Sequence, residues 1–260
     1  MTKLIALHSF RAGTGRTHLI ASFAALAAVQ GRRVAVINTS LRAPNLGALF
    51  GFNEDAVPCT FHSAIDGACE FWQAAYEVTP RTNPPMPGRI YLIPSRPTAD
   101  QQAHAWRDGY DPDALWDMLM ELADHLALDA IFLDMDSGLD VATMSLIALA
   151  DSLVVLLRHD KRDYQATGIV VDLARELEVP NVYVLMNEAP QHFDRAELEA
   201  QAEEVYHAPL IGVLPYTDDM VALPNGEIFA LSHPNHANTA IMRHIVNTLF
   251  ADTGSDPAAD

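Results

Sequence analysis

Two cysteines in 260 residues, Cys59 and Cys69, stand outside any CxxC pair or ligand-like spacing. Neither a disulfide framework nor a zinc site is suggested. Positive charge is scarce too: 16 Lys and Arg face 34 Asp and Glu, a formal charge of −18. Neutralising phosphates takes clustered Lys and Arg, so direct nucleic-acid binding is not expected. Docking on an anionic membrane is disfavoured for the same reason. No apolar stretch is long enough to span a bilayer. The first apolar run leads into a Gly-rich turn, with no basic region before it and no cleavage site. A cytoplasmic protein without a membrane anchor is expected. What the chain has in plenty is hydrophobic residues, 50% of it, enough for one large α/β core.

The stretch Leu4-Ile-Ala-Leu-His-Ser-Phe-Arg-Ala-Gly-Thr-Gly-Arg-Thr17 gives an apolar run, a Gly-rich turn and then an Ala-rich segment. That is the strand, loop, helix order of a phosphate-binding loop. Successive backbone N–H groups converge on one anion there, and glycines let the backbone come close. The pattern G-x-x-x-x-G-K-[ST] fails at two places, because Phe10 holds the first glycine position and Arg16 replaces the lysine. The plain alternative is a tight strand-to-helix connection without ligand. A dinucleotide fingerprint fits less well: its third glycine falls on His18, and Asn38 ends the second strand where an acid is wanted.

Further along, apolar runs alternate with helical patterns. Strands are expected at Leu4–Ser9, Arg33–Ile37, Arg89–Ile93, Ala130–Asp134, Ser152–Leu157, Val182–Met186 and Leu210–Leu214. Helices are expected at Thr17–Gln30, Phe61–Tyr76, Asp113–Leu128, Val141–Ala150, Asp163–Glu178, Asp194–Tyr206 and Thr239–Ala251. The stretch from Phe52 to Gly88, with its Pro-rich connector, is expected to be the least regular part and a candidate partner surface. Alternation of this kind implies an α/β fold, a mostly parallel sheet of about seven strands with helices on both faces. Continuous apolar strands fit a sheet covered on both sides. Residues 1–251 are expected to form one domain and 252–260 a short acidic disordered tail. Ligands of such sheets bind at the carboxyl ends of the strands. That rule gathers the Gly13 turn, Asn38, Pro94, Asp134, Arg158 and Asn187 on one edge.

With those pieces together, the chain resembles the MinD/ParA group of deviant Walker-A, P-loop ATPases over nearly its whole length. The family loop K-G-G-x-G-K-[ST] stands here as Arg11-Ala-Gly-Thr-Gly-Arg-Thr17. Val34 to Gly51 resembles the family stretch D-x-D-x-R-x-P-N-L, and Ile131 to Gly138 its second-Asp motif, usually hhhD-T-P-P-G. Val184-Leu-Met-Asn187 resembles h-h-h-N, and Ile211 to Tyr216 and Ser232 to Asn235 match two late landmarks.

The resemblance implies ATP or ADP with Mg²⁺ as cofactors and a dimer closed over two nucleotides. It assigns phosphate binding to Ala12, Gly13, Thr14, Gly15, Arg16, Thr17 and His18, and base reading to Asn187. Thr17 and Asp134 are the implied metal residues, and Asp134, Arg11 and Arg16 the implied catalytic ones. Arg11 replaces the signature lysine that reaches the partner's nucleotide, and a guanidinium can do that job as an arginine finger.

Departures from the pattern bear on hydrolysis. Arginine at position 16 keeps the charge but changes the geometry. Asn38 and Ser40 replace both aspartates of D-x-D, and neither can act as a base near neutral pH. Asp136 and Ser137 replace the Pro pair and add negative charge close to the triphosphate. Three readings stay open: a nucleotide-binding regulatory or positioning switch whose hydrolysis is weak or lost, an active ATPase in which arginines do the lysines' work, and a nucleotide-free pseudo-ATPase scaffold. The basic amphipathic C-terminal helix of MinD proteins has no counterpart in Ile241–Phe250, so a homodimer and a protein regulator are the expected partners. His233-Pro-Asn-His236 has helix-turn spacing on a Pro-broken loop, which disfavours a metal site.

Overall fold

The computed structural model describes residues 2–42, 45–190, 193–224 and 226–251, with the Arg195 side chain left out. The expected tail 252–260 lies outside the described residues, as do Ala43 and Pro44 of the Val34–Gly51 stretch.

The seven expected strands all form, some with shifted ends. They are β1 (Lys3–His8), β2 (Arg33–Asn38), β4 (Arg89–Ile93), β5 (Ala130–Asp134), β6 (Ser152–Leu157), β7 (Asn181–Ala189) and β8 (Leu210–Pro215). An eighth, β3 (Tyr76–Glu77), pairs antiparallel with β4 at the sheet edge. The order is β3-β4-β2-β5-β1-β6-β7-β8. Central strands are buried on both faces, which is why they are apolar throughout rather than alternating.

One expected helix is corrected. Phe61–Tyr76 divides into α3 (Phe61–Ile65), a 3₁₀ turn (Phe71–Ala74) and β3. Gly67 at φ +73 marks where the chain leaves the helix, and a left-handed glycine of this kind ends helices readily. Phe61 and Phe71 still reach the same core, their rings 6.0 Å apart. Helix α4 (Ala99–Asp108) was not expected; its polar composition hides it, although Thr98 and Gln101 form a capping box.

Helix α1 (Arg16–Val29) packs against the sheet and against two late helices, α10 (Phe229–Ser232) and α11 (Ala237–Ala251). Residues 19–28 are therefore all buried, and small alanines let the helix sit close to its neighbours. Phe23, Phe132 and Phe229 fill this layer. On the other face lie α5 (Pro112–Leu126), α6 (Val141–Ala148), α7 (Lys161–Glu176) and α8 (Arg195–Tyr206). No helix among the described residues is long and apolar enough to cross a membrane.

Candidate phosphate-binding site

Between β1 and α1, Gly13 (φ +75) and Gly15 (φ +81) both take left-handed backbone. Gly15 is also the helix N-cap, and no side chain caps the first turn. The first amides of α1 thus face outward unsatisfied by any cap, which favours an anion there. Every expected phosphate residue, Ala12, Gly13, Thr14, Gly15, Arg16, Thr17 and His18, lines one cavity of about 310 Å³. Asp134 lines it too, with Ser40, Arg42 and Asp136.

Arg16 lines this space with its guanidinium tied back to the wall. Its Nε donates to Asp134 Oδ1 at 2.9 Å and its Nη1 to Ser9 Oγ at 3.1 Å. The Thr17 side chain bonds the same Asp134 carboxylate. Burial pushes the Asp134 carboxyl above its ordinary range, and Arg16 and Thr17 pull it back. The net result is a carboxyl raised by burial and partly restored by its bonds to Arg16 and Thr17. His8, the last residue of β1, is wholly buried beside it. Burial first and Arg16 second bring its pKa down to about 3, so the ring is neutral. The Asp136 backbone opposes that shift, yet neither ring nitrogen closes a hydrogen bond of good geometry among the described residues.

Strands β2 and β5 are neighbours, with Asn38 opposite Asp134. Two residues on, Ser40 Oγ donates to Asp136 Oδ1 at 2.7 Å, and the Leu41 amide donates to Asp136 Oδ2 at 2.8 Å. A carboxylate therefore stands in the cavity next to Ser40, supplied by the segment just after the neighbouring strand. Sequence reasoning treated Asp136 only as added negative charge. A hydroxyl at one strand end and a carboxylate at another are a signal only once those strands are known to be adjacent.

Arg11 and Asn187 lie outside this cavity. Arg11 Nη1 pairs with Asp160 and Asp163 at the start of α7, 3.0 Å from each. Asn187 Nδ2 donates to the Thr14 carbonyl at 2.8 Å. It sits where the β7–β8 register shifts and helps line an adjoining cleft of about 100 Å³ with Gly15, His18 and Tyr216. The Gly13 turn, Asn38, Asp134 and Asn187 are thus gathered on one edge.

The donor set suits a nucleotide phosphate, with backbone amides and a cleft beside them. Thr17 and Asp134 offer a hydroxyl and a carboxylate in contact, the chemistry a magnesium ion takes. Arg16 holds that carboxylate here, so a magnesium ion would have to compete with the arginine for it. Among the described residues no group of three or more His, Cys, Asp or Glu side chains is placed to hold a metal; a P-loop metal draws on fewer protein ligands than that.

Residues 5–228 match the family profile described as the CobQ/CobB/MinD/ParA nucleotide binding domain. The chain is 22% identical over 261 residues to the septum site-determining protein MinD of Bacillus subtilis (strain 168), covering 97% of this chain and 91% of that protein. Its fold is similar to that in the MinC:MinD cell division protein complex of Aquifex aeolicus, with TM-score 0.75, 18% identity and 97% of each chain covered. It is also similar to MinD complexed with Mg-ADP from Pyrococcus horikoshii OT3, with TM-score 0.74, 18% identity and 96% of each chain covered.

Proposed function

The chain belongs to the CobQ/CobB/MinD/ParA nucleotide-binding family, and on that premise we propose that it is a MinD/ParA-like switch that binds ATP or ADP and hydrolyses ATP slowly or not at all. It acts in the cytoplasm by pairing with a second copy and a protein regulator, without a direct hold on nucleic acid. That MinD of Aquifex aeolicus is found with MinC supports a protein partner.

In this reading the amides from Ala12 to Thr17 cradle the phosphates, and Arg16 turns from Asp134 to meet their oxygens. Asn187 and the cleft beside it receive the base. Thr17 and Asp134 are the residues that would hold magnesium, which supplies charge neutralisation on the phosphates when bound. The observation that carries the reading is the Arg16–Asp134 bond. Binding must break a buried ion pair before Arg16 can serve, while Asn38 and Ser40 offer no base.

A second reading has its own observation. Asp136, fixed by Ser40 and Leu41, returns a carboxylate to the cavity, where it orients water in a working ATPase with Arg11 and Arg16 as the cations. A fluorescent ATP analogue, titrated with and without Mg²⁺ and followed for turnover, separates the cases. Binding without turnover supports the switch. Mg²⁺-dependent binding with turnover abolished by Asp136→Asn supports the second reading. No binding overturns both and leaves a nucleotide-free scaffold.

A further inference from the structure

A cavity roomier than the one at the Gly13 turn lies away from it, between α3, α4 and the start of α5. It measures about 450 Å³, within the usual range of roughly 300–1,000 Å³ for small-molecule pockets. Ile65, Leu115 and Met118 give it an apolar lining. Its wall carries a buried polar pair, His62 Nε2 and Tyr110 Oη, 3.1 Å apart. Burial brings the His62 pKa down to about 4 against the pull of Asp66, so the ring is uncharged near neutral pH.

Around this lining stand Asp66, Asp100 and Asp111, and neither lysine nor arginine contributes. The remaining titratable group, His104, bonds Asp108 at 2.8 Å. Asp66 accepts one hydrogen bond from Gln101 and Asp111 caps α5, each leaving oxygen lone pairs to spare. The pocket thus has an apolar interior, a neutral polar wall and carboxylates at its rim. Its wall is also joined to the phosphate site. His62 Nδ1 meets Ser95 Oγ at 3.3 Å, Ser95 Oγ donates to the Ser40 carbonyl at 2.6 Å, and Ser40 Oγ donates to Asp136.

We propose that this cavity is a second binding site, for a small organic ammonium ion whose apolar body fills the pocket while its charge meets the rim carboxylates. Charge complementarity decides the class: an anion meets three carboxylates and no cation, and a bare metal ion makes no use of the apolar interior. The proposal is independent of nucleotide binding.

The test uses the full chain and three probes of one shape: benzylammonium, neutral benzyl alcohol and benzoate. The readouts are calorimetric affinity and the NMR signals of the His62 ring. Benzylammonium should bind saturably, shift the His62 signals, and bind about tenfold more tightly than the alcohol, since each rim carboxylate adds a factor of a few. Benzoate should not bind. Asp66→Asn with Asp111→Asn keeps the Gln101 bond and the helix cap, and should bring benzylammonium down to the level of the alcohol. Ala114→Phe, which puts a ring at the cavity lining, should abolish both. Equal affinity for ammonium and alcohol, an unmoved His62 ring, or benzylammonium binding unaffected by the Asn pair would overturn the proposal.

Discussion

Arg16 Nε and Asp134 Oδ1 lie 2.9 Å apart, with side chains 13% and 5% exposed. The cation expected to meet phosphate is bonded to the carboxylate expected to meet metal, and the loop is closed on itself. Removing one member of a buried pair leaves the other uncompensated, at a typical cost of ~3–5 kcal/mol. Arg16→Ala should therefore lose stability on that scale in urea denaturation. Arg16→Ala with Asp134→Asn should recover much of it. If the two losses simply add, the pair is not coupled.

The same bond fixes a pH dependence. Burial raises the Asp134 carboxyl, and Arg16 is the larger of the two side chains that hold it down. Without Arg16 the folded chain keeps a proton that the unfolded chain has released above its ordinary value of 3.8. Stability of the variant then falls as pH rises from there through the raised folded value. The penalty of Arg16→Ala should be smaller at pH ~4.5 than at pH ~7. A carboxyl ¹³C titration of Asp134 gives the direct check; a titration midpoint unchanged from the parent chain contradicts it.

Gly15 carries two constraints at once. Its φ of +81 disfavours any L side chain, and a Cβ there would stand 2.6 Å from Asn187 Nδ2. Gly15→Ala should cost ~1–2 kcal/mol for the backbone alone and also displace the Asn187–Thr14 hydrogen bond. In an Asn187→Ala background the steric part disappears and the backbone part stays. Thermal unfolding of the two single variants and the double variant measures both, and an equal cost of Gly15→Ala in either background removes the steric part.

His62 should make the fold acid-labile. Its pKa, about 4 against an ordinary 6.5, means that the unfolded chain takes a proton which the folded chain refuses. The stabilisation is complete above pH 6.5 and is lost as pH falls from there toward 4, at ~1.4 kcal/mol per pH unit at most. Asp66 is the charged group that opposes the shift, and Tyr110 and Ser95 are its hydrogen-bonding neighbours. His62→Gln should flatten the stability-against-pH curve by about one proton over that window. His8, held at about 3, leaves a second such slope in place. An unchanged slope in the variant would show that His62 is not the group titrating.

Each expected strand was legible because a strand buried on both faces must be apolar along its length, and β1, β5 and β6 are. The Gly-rich turn was legible because Gly13 and Gly15 are needed where the backbone turns left-handed. Helix α4 escaped because it is polar, and α3 ran on too far because periodicity cannot show that Gly67 turns the chain. Composition and local spacing thus determined the strands, the loop and the edge on which the site lies. Only the tertiary structure decided that β2 lies beside β5, so that Ser40 meets Asp136, and that Arg16 closes back on Asp134. Both depend on which strand ends become neighbours and which way a long side chain turns, and neither fact is carried by residues close together in the chain.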